Sequence, residues 1–70
     1  MAVVKIIELV GTSPNSWEEA TKNAVDKAAE TLRGITGANI LRQNVVVKDG
    51  EIVEYRVDLK LAFMVEEEVD

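Results

Sequence analysis

The sequence predicts an α+β fold in the order β-α-β-β, with a three-stranded antiparallel sheet wrapped around one helix. Three patterns predict it: an apolar residue at every second position near the C-terminus, a helical repeat of apolar residues after a capping signal, and an Asp-Gly pair between two strand-like segments. The chain has 70 residues, the size of one small domain. We therefore expect residues 1–70 to form a single domain, without internal repeats or linkers.

The first strand is predicted over Val3–Val10, where β-branched residues are frequent. Its apolar residues fall on both faces, which indicates that both faces are partly buried. Gly11–Asn15 follows and is predicted to be a loop, because glycine, proline and asparagine are typical of turns.

A helix is predicted to begin after Ser16, since serine is a good N-cap and Glu19 completes a capping box. We expect the helix to run for about 18 residues, or about 27 Å, and to end at Gly34 as its C-terminal cap. Glu18 and Lys22 are expected to form an ion pair. The predicted apolar face comprises Trp17, Ala20, Ala24, Val25, Ala28, Ala29, Leu32 and Ile35.

The second strand is predicted over Ala38–Lys48, and Asp49-Gly50 predicts a type I′ turn into the third strand, which begins near Glu51. One face of the third strand is apolar, at Val53, Tyr55, Val57, Leu59, Leu61, Phe63 and Val65. At about 3.3 Å per residue this strand is about 50 Å long, about twice the length of the helix. One helix cannot cover it, so we expect another subunit to cover part of the apolar face.

Composition narrows the possible functions. The chain has no cysteine, which excludes disulfides and thiolate metal sites. It also has no histidine, the commonest transition-metal ligand and the commonest general base. The net charge is −5, and no basic patch is visible, so a nucleic-acid partner is not expected. No apolar run approaches the roughly 18 residues of a membrane span, and the start lacks a signal-peptide pattern. We expect a cytoplasmic protein without enzymatic activity.

A resemblance to a known family covers nearly the whole chain. The residues that carry it are Lys5-Ile6-Ile7-Glu8-Leu9-Val10-Gly11-Thr12-Ser13-Pro14, then Trp17-Glu18-Glu19-Ala20, and Tyr55-Arg56-Val57 through Leu61-Ala62-Phe63. Taken in this order they resemble the dodecins, small β-α-β-β proteins that assemble into hollow dodecamers. The resemblance implies a non-enzymatic homododecamer that binds, stores or sequesters a small ligand.

The resemblance also identifies candidate ligand-binding positions. Most dodecins bind flavins through a tryptophan that opens strand two and stacks on the ring, and through a glutamine on strand three that bonds to the ring edge. Gly37 and Arg56 stand at these positions here. Glycine has no π surface, and arginine cannot accept a hydrogen bond from the flavin N3–H. FMN, riboflavin or FAD are the cofactors that the resemblance implies, but these two replacements argue against tight binding of the usual kind. The chain is more similar to the branch without the stacking tryptophan, some members of which bind calcium.

Two segments near the helix allow both a functional and a structural interpretation. Trp17 could stack on a flat ligand, but we favour an apolar anchor against the sheet or another subunit. Gly11-Thr12-Ser13 could hold a phosphate on backbone amides ahead of the helix. Because the fuller glycine-rich pattern of a phosphate loop is missing, we favour a turn and cap.

Two charged segments also allow both a functional and a structural interpretation. Glu54, Arg56, Asp58 and Lys60 alternate in sign and form either a ladder that bridges strands or subunits or a pocket in which Arg56 binds an anion. Glu66–Glu68 and Asp70 could bind Ca²⁺ or form a solvated tail. In both cases we favour the structural interpretation. The alternative functions are a structural or interaction oligomer without a physiological small ligand, and a calcium-binding shell.

Overall fold

The computed structural model of the protein describes residues 3–65. Its elements are β1 (Val3–Ser13), α1 (Trp17–Ala29), β2 (Ile35–Lys48) and β3 (Glu51–Val65). The three strands form one antiparallel sheet in the order β1-β3-β2, with the longest strand in the middle. The predicted α+β class and the β-α-β-β order are confirmed.

The alternating pattern of β3 produces the core. Val57, Leu59 and Leu61 are completely buried because they lie beneath α1, which contributes three small side chains at helical spacing. The other members of this core are Ala20, Ala24 and Ala28, and the partly buried residues Ile7, Leu9, Val25, Leu32 and Ile35 pack around it. Alanines on the buried face bring the helix axis close to the sheet.

Gly11 is the point of closest approach between α1 and β1. A Cβ atom at this position would collide with the carbonyl oxygen of Ala20 and would lie 2.9 Å from the Cβ of Ala24. Gly11 belongs to β1, which pairs with β3 as far as Ser13. The prediction of a loop beginning at residue 11 was therefore wrong, because the glycine serves helix-to-strand packing rather than a turn.

The helix is shorter than predicted. It has 13 residues and ends at Ala29, with Glu30 as its C-cap, and Ala29 itself is exposed although we expected it on the buried face. Gly34 has a φ of 73° but lies in the connection to β2, where its carbonyl accepts from the Met64 amide at 3.0 Å. Ile35 then begins β2 opposite Phe63, since strand pairing suits a β-branched residue better than a further helical turn.

The first turn of α1 only partly follows the predicted capping box. The Ser16 hydroxyl accepts from the Glu19 amide at 3.0 Å, as expected. The Glu19 carboxylate, however, accepts from the Ser13 hydroxyl at 2.7 Å and from the Asn15 side chain at 2.9 Å. Both hydrogen bonds lower the pKa of Glu19, and the bond from Ser13 has the larger effect. Lys22 pairs with Asp26 at 2.7 Å rather than with Glu18.

The β2–β3 hairpin extends well beyond the helix. Its turn has positive φ at Asp49 (51°) and Gly50 (77°), which confirms the type I′ prediction. The described part of the chain measures 59 × 20 × 13 Å. Consequently many large apolar side chains remain exposed: Val3, Val4, Ile6, Val10, Trp17, Ile40, Leu41, Val47, Ile52, Val53, Met64 and Val65. Among the described residues, no helix has the length and apolar character needed to cross a membrane.

Candidate ligand-binding site

The face of the sheet opposite α1 carries the candidate site. In β3, Leu61 points to the helix, so its neighbours Lys60 and Ala62 point to the opposite face. Gly37 lies opposite Ala62 in the pairing of β2 with β3. Ile6 lies opposite Ala62 in the pairing of β1 with β3, so all three residues share this face. A Cβ added at Gly37 would meet no atom within 4 Å. The position of the expected stacking residue is therefore open space.

A shallow pocket occupies this region. Its volume is about 440 Å³, and its lining residues are Ile6, Gly37, Ala38, Asn39, Lys60 and Ala62. This volume falls within the range of about 300–1,000 Å³ found for small-molecule sites. Ile6 and Ala62 give the pocket an apolar floor, while Asn39 and Lys60 lie opposite one another across β2 and β3 and give it a polar side. The pocket can hold a ligand with an apolar body and a polar group.

Arg56, the second candidate position, lies elsewhere on the same face. It is opposite Asn44, and its Nε is 3.1 Å from Oε2 of Glu54. Arg56 and Ala62 are six positions apart along β3, which corresponds to about 20 Å at about 3.3 Å per residue. A single chain therefore does not bring Gly37 and Arg56 to one small ligand.

The alternating charges of β3 form one cross-strand contact. Asp58 forms an ion pair with Arg42, its partner in the sheet register: Oδ2 of Asp58 lies 3.2 Å from Nε of Arg42, and the Asp58 side chain is only 15% exposed. The Arg56–Glu54 pair instead runs along β3. Lys60 forms no ion pair within residues 3–65. Arg42 and Asn39 did not emerge from the sequence as candidates, because only the strand register reveals their positions beside Asp58 and Lys60.

Trp17 lies on the other face, at the start of α1. Its Nε1 donates to the backbone oxygen of Asn44 at 3.0 Å, and its ring meets that of Tyr55 edge to face with centroids 5.2 Å apart. The indole is thus engaged by the β2–β3 hairpin, which supports its interpretation as an anchor. The phosphate interpretation of Gly11–Ser13 gains no such support, since the Ser13 hydroxyl is buried and accepts from the Asn15 amide at 2.9 Å.

The acidic residues give no calcium site within the described chain. Across residues 3–65, no three acidic side chains come together at one point. The other acidic candidates, Glu66–Glu68 and Asp70, lie outside the described residues. Since Ca²⁺ takes six to eight oxygen ligands, a calcium site built on residues 3–65 would need carboxylates from more than one copy.

Comparison with known proteins gives consistent matches along the chain. The dodecin family model matches residues 3–66. The calcium dodecin of Mycobacterium tuberculosis is 36% identical over 63 residues, which cover 90% of this chain and 89% of the relative. The structure of a dodecin from Streptomyces coelicolor superposes with a TM-score of 0.92 at 34% identity and covers 96% of both chains. A structure of the calcium dodecin of M. tuberculosis, described as having a novel calcium-binding site, superposes with a TM-score of 0.82 at 35% identity and covers 97% of both chains.

Proposed function

The chain belongs to the dodecin family, and on this premise we propose that it is a non-enzymatic, hollow homododecamer that binds and stores a small ligand. The observation that carries the proposal is the ligand-sized pocket around Gly37, at the position where flavin-binding dodecins have their stacking tryptophan. The mechanism is encapsulation: the ligand is held on the sheet face opposite the helix, and the closed assembly covers that face.

The exposed apolar residues support self-association. Val10, Val47 and Ile52 are 58%, 56% and 52% exposed, which leaves much apolar surface on so small a chain. A groove of about 510 Å³ also lies between β1 and the C-terminal half of α1, and Ile7, Leu9 and Leu32 contribute apolar walls to it. Burial of these surfaces against other copies would supply the stability that a domain of this size lacks alone.

A second copy would also complete the ligand site. β2 is an edge strand, and its central residues Ile40 and Leu41 are 41% and 37% exposed. If two β2 edges pair antiparallel about a twofold axis between these residues, Gly37 of one copy lies opposite Asn44 of the other. Because Asn44 is paired with Arg56, the partner's Arg56 then lies near the pocket. Such pairing also covers an unprotected strand edge.

The residues present do not fit a flavin bound in the usual way. Gly37 offers no ring, and Trp17 cannot replace one because it lies on the helix side of the sheet, against Tyr55. Arg56 supplies donors only, whereas a flavin ring edge also requires an acceptor for N3–H. We therefore propose a ligand other than a stacked FMN, riboflavin or FAD.

A calcium-binding shell is the second candidate function. Its support is the 36% identity with a protein named calcium dodecin. In this alternative the ion would be bound where carboxylates of several copies meet, for example at a symmetry axis. An oligomer that serves only as a scaffold for protein interactions is the third candidate, and the replaced flavin positions favour it if no ligand binds.

Native mass spectrometry of the purified protein tests the proposal, because it reports the number of subunits and any retained ligand together. We expect a dodecamer without the mass of a flavin. A monomer or dimer would contradict the proposal. Thermal unfolding with FMN or with Ca²⁺ then separates the alternatives, since a ligand that binds only the native state must raise its stability. A rise with Ca²⁺ alone would favour the calcium-binding shell.

A further inference from the structure

We propose that the pocket around Gly37 selects a small organic anion, a carboxylate or a phosphate ester on an apolar body of about one ring, and that Lys60 binds the charge. The inference rests on the proposed function, because it names the ligand class of the same pocket. Three features of the described residues support it: a cation that forms no ion pair among them, a rim that donates hydrogen bonds, and an apolar floor of limited size.

Lys60 is the charged residue of the pocket lining. Two other cations on this face are already neutralised, since Arg42 contacts Asp58 at 3.2 Å and Arg56 contacts Glu54 at 3.1 Å. Lys60 forms no ion pair among residues 3–65, although Glu8 lies opposite it on β1. Glu8 is not part of the pocket lining. The ammonium group of Lys60 is therefore available to a ligand anion.

The other polar groups around the pocket also favour an acceptor-rich ligand. Asn39 lies opposite Lys60 on β2, and its side-chain amide can donate two hydrogen bonds. In the proposed pairing of β2 edges, the partner's Arg56 adds the guanidinium donors other than the Nε that contacts Glu54, and it adds no acceptor. Donors dominate this rim, and anionic oxygens form the strongest hydrogen bonds with such donors.

The floor of the pocket sets the size of the ligand body. Ile6, 51% exposed, and Ala62 provide apolar contact, and Gly37 leaves room where a side chain would otherwise lie. The volume of about 440 Å³ is near the lower end of the range for small-molecule sites. Because Ile6 and Ala62 form this apolar floor, a single ring or a short aliphatic chain is enough to cover it.

Calorimetric titration of the wild-type protein at low ionic strength tests the inference. Benzoate and phenyl phosphate are the anionic probes, benzamide is the neutral analogue of benzoate, and benzylamine is the cationic analogue. We expect the anions to bind at least about fivefold more tightly than benzamide, the effect of a partly exposed ion pair. Added salt should weaken the binding of the anions.

Substitutions at and near Lys60 test whether this residue is responsible for the preference for anions. Lys60→Gln should lower the affinity for benzoate about fivefold, and Lys60→Arg should keep it. Glu8→Gln should raise it, because a nearby negative charge is removed. Lys22→Gln, which removes the same charge from the outer face of α1, where Lys22 is 73% exposed, serves as the matched control and should not change the affinity.

Several results would overturn the inference: no binding of either anion at millimolar concentration, equal binding of benzamide or benzylamine, or an unchanged affinity in Lys60→Gln. Native mass spectrometry of the same samples shows whether a negative result contradicts the anion site or the proposed dodecameric shell. A dodecamer that carries another ligand but binds neither anion refutes only the anion site. A monomer that binds benzoate through Lys60 refutes the shell but not the anion site.

Discussion

The indole Nε1 of Trp17 donates a hydrogen bond to the backbone oxygen of Asn44, 3.0 Å away, and so joins the first turn of α1 to the edge strand β2. Asn44 is in turn paired with Arg56 on β3. The contact therefore links the helix to the part of the hairpin that carries one of the two candidate ligand positions.

We expect Trp17→Phe to lower the free energy of unfolding by about 1 kcal/mol, since it removes this hydrogen bond but keeps a ring next to Tyr55. Trp17→Ala should cost about 2 kcal/mol or more, because the aromatic contact is lost as well. Circular dichroism during chemical denaturation at one protein concentration measures both changes. Equal stability of Trp17→Phe and the wild type would show that the hydrogen bond contributes little.

Gly11 and Gly37 provide a matched pair of substitutions to alanine. Gly11→Ala places a Cβ against the Ala20 carbonyl and the Ala24 side chain, and we expect it to cost about 1–3 kcal/mol, as overpacking does. Gly37→Ala meets no atom within 4 Å and should change the stability by less than about 0.5 kcal/mol. Thermal unfolding of both variants tests this contrast. A larger loss for Gly37→Ala would mean that the space beside Gly37 is filled in the assembly and is not open to a ligand.

Leu59 lies in the core of one chain, whereas Val53 lies on surface that an assembly would cover. Leu59→Ala should cost about 2–5 kcal/mol, because the side chain is completely buried within one chain. Val53 is 42% exposed in the single chain, so Val53→Ala should cost less than about 1 kcal/mol unless another subunit covers it. Native mass spectrometry alongside denaturation distinguishes the two cases. Loss of assembly in Val53→Ala would place this end of the hairpin in an interface.

Glu19 should make stability depend on acidic pH. The Ser13 hydroxyl and then the Asn15 amide lower the pKa of Glu19 from its usual 4.5, so the folded state binds a proton less readily than the unfolded state. The resulting stabilisation is complete above pH 4.5 and is lost as the pH falls through the lower folded-state pKa. We expect Ser13→Ala to flatten the dependence of the unfolding free energy on pH in this acidic range.

Glu19→Gln is the companion variant, since it removes the titrating group. Its pH dependence should be flatter than that of Ser13→Ala, in which the Asn15 amide still contacts the carboxylate. If the wild type and both variants lost stability in parallel as the pH fell, the carboxylate of Glu19 would not be responsible for this part of the acid sensitivity.

Gly37→Trp tests whether the lack of a side chain at this position is what opposes flavin binding. A Cβ placed there meets no atom within 4 Å, and an indole would restore a stacking surface. We expect tighter binding of riboflavin, measured by the quenching of its fluorescence. The double variant Gly37→Trp and Arg56→Gln should bind more tightly still. Unchanged affinity in both would mean that the shape of the pocket, and not only the missing ring, differs.

Local chemistry allowed much of the fold to be predicted from the residues alone. The two-residue period of β3 predicted its buried face, the spacing of Ala20, Ala24 and Ala28 predicted the helix, and Asp49-Gly50 predicted the turn. These features were predictable because strand pleat, helical periodicity and turn conformation depend on residues that are close together in the sequence. The helix end was less predictable, because Gly34 resembles a C-cap although the chain leaves the helix at Glu30.

Contacts between distant segments decided the rest. Gly11 resembled a turn residue, and only the approach of Ala20 explains why it lies in a strand. Likewise, the resemblance identified Gly37 and Arg56, but only the strand register shows that Gly37 faces Ala62 and Arg56 faces Asn44. Register results from the pairing of whole strands, so no local pattern reveals which side chains share a pocket. The sequence by itself therefore determined the elements and the family resemblance, while the tertiary structure decided that Lys60 and Asn39 border the pocket.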